Sequence, residues 1–299
     1  MVTRASLDLE IALDEGSRVS AEAKDGASIL GAILLTRQAA DAAERALRER
    51  RSFPKWADAS KRDARAVLKV FRHLGGYGKA VIIKKSSETA SSYRATAERE
   101  LTEDRRRLRE ISRASGQESP EYPTSPHLFL RTTAFAGVLP IREVAVHQAI
   151  ISGLDKRANT LSVGLNVLLD KDSTPPQILE AMANGIRRFA SEFRRFRYGD
   201  AQMNVECHLD TFEGRDESEQ ASLILVDYIN GIIATSVFPK YQHRSISREV
   251  AAELYKELEN YGKQNHTVSV KEIGIADLEE MTRKAGAESQ EDFKRLGLS

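Results

Sequence analysis

The chain has one cysteine, Cys207, and one tryptophan, Trp56, in 299 residues. A single cysteine excludes an internal disulfide and a zinc site built from one chain's thiolates, as expected of a reducing compartment. Excess charge is also missing. Lys and Arg (45) nearly balance Asp and Glu (44), so no overall basic field announces a dedicated nucleic-acid binder, and any attraction for phosphate has to be local. No apolar window is long enough to span a bilayer, and no basic stretch followed by an apolar run opens the sequence. The expectation is a cytoplasmic protein with no membrane segment. What the chain does have is 41% apolar residues, enough for a substantial core, with Cys207 in an apparent strand as part of it.

Local patterning divides the chain into alternating elements. Leu7, Leu9, Ile11 and Leu13 alternate with polar or small residues, the period of a strand with one buried face. Gly16 and Ser17 break the run, leaving Asp14 and Glu15 where the strand exits the core, though Asp-Glu-Gly-Ser is also ordinary hairpin-turn chemistry. The apolar run 27–35 reads as a returning strand. Thr36 and Ser60 are N-cap candidates for two helices, the second with Ala64, Val67, Leu68 and Phe71 as its buried stripe. Residues 79–85 read as a third strand ending in Lys84 and Lys85, residues 161–169 as a fourth ending at Asp170, and residues 202–209 as a fifth.

The remaining stretches are longer and more charged. A helical, arginine-rich run over 88–115 reads as a solvated face, and Pro120, Pro123 and Pro126 follow it; together residues 86–126 look like an insertion. From 177 to 197 a helix is expected, with Arg187, Arg188, Arg194, Arg195 and Arg197 crowding its polar side as a candidate phosphate-binding patch. Another helix runs over 141–156. Residues 216–219 supply capping chemistry for a mostly apolar helix over 222–237, in whose middle stands Asp227. A carboxylate there is costly to bury unless a positive or hydrogen-bonding group meets it, which makes Asp227 the acidic residue most in need of a role. Helices over 247–261 and 275–296 complete the chain, a surface on which a protein partner could dock. The boundary falls near 238, dividing an α/β domain (1–238) from a C-terminal helical extension (239–299).

This order calls for a mixed sheet with helices on both faces. If the strand near 161 lies parallel beside the strand at 7–13, Asp14 and Asp170 end neighbouring strands and the helix carrying Asp227 crosses above them. Repulsion among three carboxylates at one rim would call for a cation.

The residues that carry this pattern resemble a known family. Ala-Leu-Asp-Glu-Gly-Ser at 12–17 is similar to the Asp-Glu-Ser-Gly that ends the first strand of the domain-of-unknown-function thirty-eight-hundred family, with Gly and Ser exchanged. Leu-Ile-Leu-Val-Asp-Tyr-Ile-Asn-Gly at 223–231 resembles that family's Leu-Gln-Leu-Ala-Asp-Leu-Ile-Ala-Gly helix, with Ile224 in place of Gln and Val226 in place of Ala. Val-Ile-Ile-Lys at 81–84 and Leu-Leu-Asp at 168–170 are similar to its strands ending in Lys and Asp. The resemblance spans residues 7–234. It implies a ribonuclease H-like fold with a mixed five-stranded sheet, and a nuclease-like site with Asp14, Asp170 and Asp227 as metal ligands and catalytic residues. Glu15 is a further candidate, although alternate strand residues face opposite ways. Asp172 and Glu143 are weaker ones. Mg²⁺ or Mn²⁺ is the expected cofactor and a nucleic acid the expected substrate, held by Lys84, Arg187, Arg188, Arg194 and Arg195. The alternative is a non-catalytic interaction or nucleic-acid-binding module that keeps the fold around a decayed site.

Overall fold

The computed structural model describes residues 4–15, 26–48, 54–74, 77–85, 160–170, 194–198, 201–216, 220–238, 241–265 and 268–274, with Ala183 and isolated helical positions between 95 and 113. The alternation at 7–13 lies inside strand β1 (Arg4–Glu15), and the apolar run after it forms β2 (Gly26–Thr36). These pair antiparallel, and β3 (Tyr77–Lys85) pairs antiparallel with β2 to complete a meander. On the other side of β1, β4 (Thr160–Asp170) runs parallel to it; β5 (Arg194–Tyr198) and β6 (Ala201–Arg215) follow in the chain, β6 parallel to β4 and β5 antiparallel to β6. With β7 (Val268–Gly274) parallel to β3, the described strands make one mixed sheet in the order β5-β6-β4-β1-β2-β3-β7.

Four described helices join this sheet to give the expected α/β class. They are α1 (Arg37–Arg48), α2 (Lys61–Leu74), α3 (Ala221–Val237) and α4 (Arg248–Asn265). Both predicted caps form. Thr36 Oγ1 accepts the Ala39 N–H at 3.2 Å, and Ser60 and Asp63 exchange hydrogen bonds at 2.9 and 3.3 Å, a capping box with Asp in the position Glu usually holds. Ala64, Val67, Leu68 and Phe71 are buried as the stripe required. Ala12, Ile33 and Leu168 face the four helices in one apolar cluster at whose centre lies α3, which explains why α3 is apolar on nearly every side.

The structure corrects several expectations. The sheet has seven described strands rather than five. Residues 194–197, expected at the end of a helix, lie in β5, where Phe196 and Tyr198 suit a strand and Tyr198 pairs with Ala201. The second addition comes from the supposed C-terminal helical extension: β7 extends the sheet beside β3, and α4 packs its Ala251, Leu254 and Leu258 into the main core. Of residues 216–219, expected to cap α3, 217–219 lie outside the described residues. At that helix start Glu44 of α1 accepts the Ala221 N–H at 3.0 Å. All four described helices share one face of the sheet; those expected over 141–156 and 275–296, and the rest of 177–193 apart from Ala183, lie outside the described residues. No helix among the described residues is long and apolar enough to cross a membrane.

Candidate metal centre

Parallel pairing of β1 with β4 sets Leu13 opposite Leu169. The next residues, Asp14 and Asp170, therefore end adjacent strands on the same face, the one covered by α3. α3 approaches this rim closely at Gly31, the partner of Asp14 on β2: a Cβ at residue 31 would come within 2.1 Å of Asn230 Oδ1. That proximity lets the Asn230 amide donate to Asp14 Oδ2 at 2.9 Å and to the Asp14 carbonyl at 3.1 Å. Asp227 lies almost one helical turn earlier on the same side of α3. Its Oδ2 accepts the Trp56 N–H at 2.7 Å, while the ammonium of Lys55 lies 3.4 Å from Asp170 Oδ2.

The turn that brings Lys55 and Trp56 here is firmly seated. Trp56 is 1% exposed, edge-on to Tyr228 at 5.6 Å, and lies against Gly231 so closely that a Cβ there would come within 2.2 Å of its ring. Tyr228 Oη donates to the Pro54 carbonyl at 2.8 Å. His243 Nδ1 accepts the N–H groups of Ser245 and Ile246, each at 3.0 Å. Its Nε2 therefore carries the proton and donates to the Trp56 carbonyl at 2.5 Å. Two residues before His243, Tyr241 has its hydroxyl pKa raised by burial and further by the charges of Asp227 and Asp14, whose fields overlap at that phenol.

Carboxylate oxygens are the right donors for a hard divalent ion, and one positive charge, that of Lys55, already sits at Asp170. The donors fit Mg²⁺ or Mn²⁺ in kind. As arranged here they do not close round one: among the described residues no three Asp, Glu, His or Cys side chains could hold a metal ion. Asp227 meanwhile has a role that needs no metal, anchoring the turn at Trp56.

Other residues singled out in the sequence fall in different places. Glu15 follows Asp14 opposite Leu30 on β2, and its side chain is outside the described residues. Lys84 lies near the end of β3, paired with Ala27, at the same end of the sheet as Asp14. Arg194 and Arg195 stand on β5 rather than on a helix. They lie opposite the start of β6, level with Thr160 at the beginning of β4, whereas Asp170 ends β4 roughly 33 Å away at the usual rise per strand residue. Arg187, Arg188, Asp172 and Glu143 lie outside the described residues. In the charged run at 88–115, Arg106 pairs with Glu103 and Glu110 at 2.7 and 3.1 Å, as a solvated helix face does.

The sequence reading missed Lys55, Asn230 and Tyr241. Asn230 carried a usable signal, three residues after Asp227 and so on the same helical face. Lys55 and Tyr241 carried none, since their contacts come from segments distant in the chain. No family model matches the chain, and no curated protein or solved structure is detectably similar to it.

Proposed function

We propose that this protein is a ribonuclease H-like phosphodiester hydrolase that uses Mg²⁺ or Mn²⁺ held by Asp14, Asp170 and Asp227. One observation carries the reading: three carboxylates from β1, β4 and α3 reach a single rim through the parallel pairing of β1 with β4 and the crossing of α3. In the ribonuclease H-like reading, the inner strands β3-β2-β1-β4-β6 would be its core and β5 and β7 edge additions. Asn230 adds support. Among the described residues its Oδ1 is buried without a hydrogen-bond partner, a cost of about 1–3 kcal/mol for a polar group, while its amide N–H groups fix the Asp14 carboxylate. An apolar side chain would pack there without that cost but could not orient the acid.

When bound, the metal would supply Lewis-acid activation in hydrolysis of a phosphodiester. The chain's own part is positional. Asp14 is oriented by Asn230, Asp227 by the Trp56 N–H, and the Tyr241 phenol stands where both acids are felt. Lys55 and, farther along the rim, Lys84 provide charge for an anionic backbone.

The second reading, a non-catalytic module, is favoured by the anchoring bond of Asp227 and by the absence, among the described residues, of three donors gathered round one point. Calorimetric titration with Mn²⁺ separates the two. The hydrolase binds the ion and loses it on Asp14→Ala, together with Mg²⁺-dependent cleavage of nucleic acid, while the thermal transition is kept. No Mn²⁺ binding by the parent protein would reject the hydrolase.

A further inference from the structure

The described helical positions between 95 and 113 lie outside both the sheet and its apolar cluster, and all of them are exposed or half-buried. At the pitch of an α-helix, Thr102, Arg106, Arg109 and Arg113 fall on one narrow stripe, with Arg105 and Glu110 on its two flanks. Among the described residues these six line an open groove of about 370 Å³. Its nearby acids are already taken. Arg106 donates to Glu103 at 2.7 Å and to Glu110 at 3.1 Å, and the hydrogen bond and charge of Glu103, with the charge of Glu110, hold the Arg106 pKa above the usual guanidinium value. Arg105 is half-buried and has an interaction of its own within the protein. Arg109 and Arg113 are exposed and have no ion-pair or hydrogen-bond partner among the described residues. A helix face that serves only solubility matches its charges three and four residues apart; this one matches Arg106 and leaves the next two arginines of the stripe unmatched.

Four residues of helix, about 6 Å of rise, separate Arg109 from Arg113. A guanidinium is a planar fork that meets a phosphate through two parallel N–H bonds, so two of them in one groove suit an anion that repeats. No apolar or aromatic side chain lines the groove among the described residues. It therefore lacks the buried anchor from which a protein partner draws affinity, whereas a phosphodiester chain is held by charge alone. We infer that Arg109 and Arg113 form a binding site for the phosphodiester backbone of a nucleic acid, each fork taking one of two neighbouring phosphates. The site goes beyond the hydrolase reading and does not depend on it, since neither a metal nor any acid of the strand-end rim takes part. Phosphate contacts carry no sequence information, so the groove grips without selecting.

The test follows the anisotropy of a labelled single-stranded oligothymidylate titrated with the full chain in EDTA, over a series of salt concentrations. The parent binds it. Arg109→Gln with Arg113→Gln lowers the slope of log affinity against log salt by about 1.4, two contacts at roughly 0.7 each, which at about 0.1 M salt is roughly a 25-fold loss measured from a common value at about 1 M. Arg109→Lys with Arg113→Lys keeps the slope and loses only the bidentate share of the affinity. Arg62→Gln with Arg65→Gln, which removes the same charge from exposed positions of α2, follows the parent. A parent that binds no oligonucleotide, an unchanged slope in the groove pair, or an equal loss in the α2 pair overturns the inference. A parent that binds a poly-glutamate peptide in place of the oligonucleotide gives the groove to a protein partner and overturns it as well.

Discussion

Two groups of acids meet α3 from the same face of the sheet, four residues apart on β1, and they are treated differently. At the helix start, the Ser222 hydroxyl donates to Glu10 at 2.6 Å and Glu44 accepts the Ala221 N–H. Burial raises the pKa of Glu10, the Ser222 hydrogen bond lowers it, and the nearby Glu44 charge raises it again. That cluster is closed by the chain's own donors and serves the helix terminus. Farther along α3, Asp14 and Asp227, half-buried as Glu10 and Glu44 are, share the rim with Asp170, an exposed lysine and a tyrosine. The acids at the helix start serve its terminus, whereas those at the strand-end rim are the ones to which we assign a cation.

The contrast can be broken by mutation. The largest effect falls on the rim: Asp14→Ala removes cleavage with the fold intact, whereas Glu44→Ala leaves cleavage in place and lowers stability by about 0.5–2 kcal/mol, as loss of a helix cap does. Chemical denaturation and initial rates on the two variants measure this directly, and a Glu44→Ala protein as inactive as Asp14→Ala would erase the distinction. Trp56→Ala empties a fully buried site and should cost about 3–5 kcal/mol. It also loosens the turn that carries Lys55, so Mn²⁺ affinity should shift along with the denaturation midpoint.

Gly31→Ala is the next in size. The added methyl displaces Asn230, a destabilisation of about 1–3 kcal/mol for overpacking, and frees Asp14 from its amide. A fall in Mn²⁺ affinity larger than that of a remote variant of equal stability would confirm that Asn230 positions the acid. The smallest effect belongs to the helix start. Because the folded state holds the Glu10 pKa above its unfolded value, ionisation of Glu10 costs stability as pH rises through the carboxylate range, and the cost is absent when the residue is protonated in both states. Glu10→Gln, which can still accept from Ser222, should therefore melt higher than the parent at pH 7, with the difference closing below about pH 4. A gap that widens at low pH would reverse the sign of this argument.

Much of the fold could be read locally. Thr36 and Ser60 start their helices, the stripe from Ala64 to Phe71 is buried, and the acids at residues 14 and 170 do end neighbouring parallel strands. The errors have specific causes. Three arginines within 194–197 weighed toward a charged helix, although Phe196, Tyr198 and the Gly199-Asp200 turn signal argued for a hairpin. β7 is seven residues between helical readings, too short for its alternation to stand out. At the start of α3 no local pattern announced Glu44, 177 positions away in sequence, as an acceptor for the Ala221 N–H.

Residue order by itself determined which side chains alternate, which helices begin with a cap and which acids stand at strand ends, because these depend on periods of two or 3.6 and on hydrogen bonds spanning a few residues. Only the tertiary structure decided that Lys55 meets Asp170, that Trp56 meets Asp227 and that His243 holds Trp56, pairings separated by 115, 171 and 187 positions. Local patterns specify the face a residue presents, and only the packed sheet and helices specify what that face meets.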